Sequence, residues 1–167
     1  NSGLYEIELL GYDEDNDVSS PFTLKLDVPV LAQTRLEFDY ATIPVHPVNS
    51  TSVDVRLFNL GNGDIGYDLF LESPPGWYAG FDDLSAQGGA NSASTGLMLE
   101  DGQMNIGISF TPPQVMTLAG AELTVILRVV SQSEEARLML YELPLVVEEI
   151  PEVTVDLESA FSSITPG

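Results

Sequence analysis

The chain has 167 residues, 44% of them apolar, with 26 acidic side chains against five basic ones and a formal net charge of −21. That length holds one well-packed domain with something left over, and the apolar fraction excludes a disordered chain. So acidic a surface repels phosphate backbones and anionic lipid, which removes nucleic acid from the expected partners.

Residues 4–12, LYEIELLGY, alternate Leu4, Glu6 and Glu8 against Tyr5, Ile7 and Leu9. This period of two gives a strand with faces of different polarity. FTLKLDVPV (22–30) repeats the pattern, with Phe22, Leu24, Leu26 and Val28 on one side and Thr23, Lys25 and Asp27 on the other. Two such runs joined by about ten turn-forming residues predict a β-hairpin with a long acidic tip. Within that tip Asp13, Asp15 and Asp17 fall at i, i+2 and i+4, the opening of a calcium loop in which alternate residues offer hard oxygen donors. An EF-hand would continue with Gly at the sixth position and Glu at the twelfth, where Val18 and Leu24 stand. Two readings follow, a weak calcium site of the extracellular kind, with affinity of about 10⁻⁴–10⁻³ M, or a plain acidic turn. No other cofactor is expected.

The strand pattern continues through RLEFDYA (35–41), TSVDVRLFNL (51–60), GYDLFLES (66–73), QMNIGISF (103–110), AELTVILRVVS (121–131) and ARLMLYELPLVVE (136–148). Gly-, Pro- and Asn-rich punctuation separates these runs, and 11 prolines leave no room for a long helix. The expected fold is all-β, an Ig-like antiparallel β-sandwich of seven or eight strands from about residue 34 to 148. Residues 1–33 are either the end of a preceding Ig-like module or an added hairpin. PEVTVDLESAFSSITPG (151–167) repeats the character of TRLEFDYATIPVHPVNS (34–50), so 149–167 reads as a linker and the first strand of a following module. The expected setting is a tandem array.

Catalytic patterns are weak. His46 is the sole histidine and sits in a turn-like PVHPV, with no G-x-S-x-G context to serve. No carboxylate pair stands out in an aromatic-rich setting. GGANSASTG (88–96) neither follows a strand nor opens a helix as a phosphate loop would. Cysteine is absent, which removes disulfides, thiolate catalysis and thiolate zinc sites. No run of 18 apolar residues exists to cross a membrane as a helix, and NSGLYEIEL lacks the basic region of a signal peptide. Asn49-Ser50-Thr51 is the one glycosylation sequon. An enzyme is not expected.

The segment 53–81 carries an ordered set of features: Asn59 ending a strand, the Gly61-Asn62-Gly63 turn, a second strand at Tyr67 to Leu71, and Pro74-Pro75-Gly76-Trp77. Asp101-Gly102 and Thr111-Pro112-Pro113 follow. In that order they resemble the Ig-like domain associated with alpha-galactosidases and the related cell-adhesion-related (CARDB-like) domains of bacteria and archaea, over residues 34–147. The loop at 82–96 departs from the pattern in being longer and richer in Gly, Ala and Ser. The opening hairpin resembles the end of a cadherin-like or bacterial Ig-like repeat.

The resemblance implies a β-sandwich spacer, on a prokaryotic surface protein or beside a catalytic domain, and no active site. Read from their own chemistry, Gly61 and Gly63 are expected at positive φ, Asn59 to bond local backbone or adopt a left-handed conformation, and Trp77 to pack over the core end. The expected function is a structural, spacer or adhesion module of a larger exported or cell-surface protein, extracellular and suited to a saline setting. Its partners would be neighbouring domains and surface glycans or proteins. The competing expectation is a carbohydrate-binding accessory module beside a glycoside hydrolase, with Trp77, Tyr78, Asp82 and Asp83 as ligand contacts.

Overall fold

The computed structural model describes residues 2–13, 15, 18–84, 90–114, 118–133 and 135–150. Eleven strands and no helix are found among them. β1 (Gly3–Asp13) and β2 (Val18–Val28) form a separate two-stranded antiparallel sheet. Their register places Tyr5 opposite Leu26, Ile7 opposite Leu24 and Leu9 opposite Phe22, so the two apolar series expected from alternation share one face.

The remaining strands build a sandwich of two sheets. They are β3 (Thr34–Glu37), β4 (Ile43–Val45), β5 (Thr51–Asn59), β6 (Ile65–Glu72), β7 (Tyr78–Phe81), β8 (Ser92–Met98), β9 (Gln103–Thr111), β10 (Glu122–Ser131) and β11 (Leu138–Val147). One sheet has the order β4-β11-β10-β6-β8 and the other β3-β5-β9-β7. The all-β sandwich expected from the sequence is therefore present, with nine strands instead of seven or eight. One pairing is not antiparallel: β4 runs parallel to β11, Ile43 opposite Leu145 and Val45 opposite Val147.

Inward-facing residues alternate along each long strand, as in Val125, Leu127 and Val129 of β10 and Leu143, Leu145 and Val147 of β11. With Tyr67, Phe81, Ile106, Ile108 and Phe110 they close a single core between the sheets. Each of these side chains contributes roughly 1.5–3 kcal/mol by leaving water.

Two details correct the sequence reading. Residues 92–96, expected within the Gly/Ala/Ser loop at 82–96, instead open β8, which pairs with β6 across an irregularity at Tyr67. There the Tyr67 N–H donates to the Thr95 hydroxyl, at 3.0 Å, in place of a ladder carbonyl. Gly61 and Gly63 do not adopt positive φ, whereas Asn59 bonds local backbone as expected, its Oδ1 accepting from the Gly61 N–H. Gly61 is needed for space: a Cβ there would lie 2.5 Å from the Leu31 carbonyl oxygen. The linker and first strand expected at 149–167 fall, from residue 151 onward, outside the described residues.

Candidate functional site

The expected ligand contacts lie on β7 and the turn after it. Pro74 and Pro75 cannot donate to a ladder and so end β6. Gly76 takes φ +84°, and the Trp77 N–H closes the turn onto the Pro74 carbonyl at 3.1 Å. This swings Trp77 inward, where it is 7% exposed and belongs to the core. Its ring is a packing element and offers no face for a sugar to stack on. Tyr78, next along the strand, points outward and is 49% exposed.

After Phe81 the chain folds back over the outer face of the four-stranded sheet. The Asp82 N–H donates to the Gly107 carbonyl at 2.9 Å, and its carboxylate accepts from the hydroxyls of Ser52 and Ser109. Those serines are register partners on β5 and β9, so the sheet itself presents them as a pair. Gly107 makes room, since a Cβ there would come within 3.2 Å of Asp82 Cβ and 3.4 Å of an Asp83 carboxylate oxygen. Both Asp82 oxygens are thus engaged in pinning the turn, and the exposed Asp83 lies over Gly107 beside it. The corner is a polar surface with one exposed aromatic ring beside it. A carboxylate bonded in this way holds the turn against the sheet.

The acidic hairpin tip is less fully described. Asp13 ends β1 opposite Val18, and Asp15 is exposed in the turn. Asp17 and the side chain of Asp13 lie outside the described residues, so the expected calcium triad does too. Among the described residues, no group of three or more His, Asp or Glu side chains could hold a metal ion. His46 holds a turn: its Nδ1 accepts from the N–H groups of Val48 and Asn49, at 3.1 and 2.9 Å.

Two asparagines do more than the sequence indicated. Asn59 is fully buried and acts as a hub between the sheets. Its Nδ2 donates to the carbonyls of Gly63 and Leu99, both at 3.0 Å. Its Oδ1 accepts from the Gly61 N–H at 3.0 Å and the Tyr67 hydroxyl at 2.8 Å. Burial, reinforced by nearby Tyr141, pushes the Tyr67 phenol up to about 12, although the Gln33 carbonyl pulls the other way. Tyr141 is also raised by burial, and its hydroxyl shares a 2.7 Å hydrogen bond with Thr34.

Asn62, three residues on, faces the hairpin. Its side chain accepts from the Leu31 N–H at 2.6 Å and donates to the Pro29 carbonyl at 3.1 Å. Its backbone accepts from the Ser2 N–H at 2.6 Å and donates to the Leu31 carbonyl at 3.3 Å. All four of its polar groups therefore fasten the base of the hairpin to the sandwich. Beside this clamp a cleft of about 610 Å³ is lined by Ser2, Val28, Val30, Asp64, Gln132 and Glu135. The Asn-x-Gly-Asn-Gly spacing signalled a turn, but its reach back to residues 29–31 has no signature in sequence.

No family model matches the chain, and no curated protein matches it significantly. Among solved structures it is similar to the ASH/PapD-like domain 7 of human CEP192, at 15% identity and TM-score 0.42, over 69% of this chain and 86% of that one. It is similar to domains 4 and 5 of the S-layer protein SbsC, at 10% identity and TM-score 0.39, over 78% of this chain and 59% of that one. A third similar structure is AvmM, titled as catalysing macrocyclization in alchivemycin A biosynthesis, at 8% identity and TM-score 0.45, over 73% of this chain and 92% of that one. With TM-scores below 0.5, none of the three bears on what this chain does.

Proposed function

We propose that the chain is a non-catalytic structural module, a spacer or adhesion unit of a larger exported or cell-surface protein. The observation that supports this best is where the chain enters and leaves the sandwich. The linker after the hairpin joins at the pole formed by Asn62, Asp64, Gln132 and Glu135. β11 then runs away from that pole to Val147, beside Val45 and Gly120, about 30 Å off at the strand rise of ~3.4 Å. A module attached at opposite poles extends an array instead of folding it back. Tension between the poles would shear β11 against β10, loading their ladder together and not one bond at a time. The resemblance of residues 34–147 to CARDB-like domains accords with this reading, as does the acidic surface with a saline exterior.

Single-molecule extension of a chain held at residue 30 and residue 150 tests it. A spacer resists as one cooperative unit with an extension matching residues 34–147; gradual yielding at low force would defeat the reading. The second reading, a carbohydrate-binding module, is favoured only by exposed Tyr78 beside the Asp82 corner. On a glycan array, binding abolished by Tyr78→Ala in a folded variant would favour it.

A further inference from the structure

We infer that the hairpin is a self-association surface, on which two copies of this chain stack ribbon against ribbon. Six side chains make up one face of the ribbon over its central rungs: Tyr5, Ile7, Leu9, Phe22, Leu24 and Leu26. All are 40–56% exposed. The charged residues of the same paired stretch, Glu6, Glu8, Lys25 and Asp27, lie on the other face, where Lys25 and Glu6 form a 2.9 Å ion pair. A surface ribbon in water would carry its charges on any open side; here one side carries none between Leu4 and Leu10 or between Pro21 and Asp27.

The area fits a dimer. With about 150–250 Å² for each fully exposed residue, the six side chains present on the order of 600 Å², the upper end of the largest apolar patch that a monomer usually leaves open. Stacking two such faces would bury about 1,200 Å², the lower limit of stable interfaces. An isolated two-stranded ribbon is marginal in water, and a second ribbon about 10 Å away supplies the missing layer.

The shape is self-complementary. In the register, the rung nearest the base pairs Tyr5 with Leu26, the middle rung Ile7 with Leu24, and the rung nearest the tip Leu9 with Phe22. The aromatic rings thus occupy diagonal corners. A two-fold axis in the plane of the stack, perpendicular to the strands, places each ring over a leucine of the partner. Ile7 then faces Ile7 of the partner subunit. This axis also sends the two sandwiches to opposite ends, which minimises repulsion between chains carrying −21 each. The residual repulsion is screened by salt, so association strengthens as salt rises toward about 1 M, where the Debye length is about 3 Å. The inference goes beyond the spacer reading and stands without it.

Sedimentation of the full chain across a concentration and salt series tests this. Dimers are expected, tighter at high salt. Ile7→Lys should weaken dimerisation at least about 100-fold by burying an unpaired charge, while Glu8→Lys, one position away on the other face, should not. Because Ile7→Lys also perturbs the ribbon, Ile7→Cys provides a second measurement in a chain that has no other cysteine. A short bismaleimide should link Ile7→Cys chains in pairs and leave Glu8→Cys chains unlinked. A wild-type monomer throughout, or equal linking at both positions, would overturn the inference.

Discussion

Replacing Asn59 by alanine is expected to cost more than most substitutions of similar size in this protein. The residue is fully buried, and its amide satisfies the Gly61 N–H, the Gly63 and Leu99 carbonyls and the Tyr67 hydroxyl. Tyr67 keeps the Gln33 carbonyl at 3.4 Å as a second acceptor, so its loss is partial. Gly61 and Gly63 are themselves buried, and their N–H and C=O would be left without partners. At about 1–3 kcal/mol for each stranded group, plus the small cavity, the loss comes to about 4 kcal/mol. For a chain of this size that lowers Tm by about 10 °C. Urea unfolding followed by the fluorescence of Trp77, the sole tryptophan and a core residue, measures it directly. Tyr67→Phe removes one arm of the network and should cost about 1 kcal/mol alone. The double variant should then lose less than the sum, because the two share a bond. A loss below about 1 kcal/mol for Asn59→Ala, or strict additivity with Tyr67→Phe, would refute the hub.

Tyr67 also ties stability to alkaline pH. Its folded value of about 12 lies above the ordinary 10.0, so its contribution is complete below pH 10 and is lost as pH rises through 12. Denaturation midpoints should fall across that window, by at most about 1.4 kcal/mol per pH unit for one proton, and less steeply in Tyr67→Phe. Gly61→Ala should destabilise by about 1–3 kcal/mol, because its Cβ meets the Leu31 backbone oxygen. Gly63→Ala meets only the rotatable Ser2 hydroxyl and should cost far less in the same melt. Trp77→Ala should cost about 3–5 kcal/mol as a core truncation, measured by circular dichroism since the fluorophore is gone.

Strands with strong alternation were legible because burial on one face leaves a period of two in the residues. β1, β2, β5, β10 and β11 all show it, although the hairpin strands pair out to Asp13 and Val18 where about ten turn residues were expected between them. β8 was not legible: Ser92, Ala93, Ser94, Thr95 and Gly96 have little intrinsic claim to a strand, and pairing with β6 makes them one. β4 is three residues long and gains its place from a parallel partner a hundred residues away. The Asp82 corner depends on serines 27 and 30 positions distant, brought together only by the register of β5 with β9. Trp77 was read two ways because Pro-Pro-Gly-Trp fixes where the ring turns but not what covers it. In each case the missing information is a long-range pairing, which no local pattern contains.

Asn59 and Asn62 sit on one turn and face opposite ways, and their different burial sets an order of opening. The side-chain bonds from Asn62 to Pro29 and Leu31 are exposed, so each is worth a net of about 1 kcal/mol and water can replace it. Those of Asn59 with Gly61, Gly63 and Tyr67 are buried, and no water stands ready to replace them. Swinging the hairpin therefore costs a few exposed bonds, whereas moving the turn itself would disrupt both sheets. Gly61 couples the two levels, since the Leu31 carbonyl packs where its side chain would be. The hairpin is thus held in one orientation at rest and can hinge at the exposed Pro29 and Val30 before the sandwich yields. A ribbon that pairs with a second copy through such a hinge leaves each sandwich free to follow the chain it belongs to.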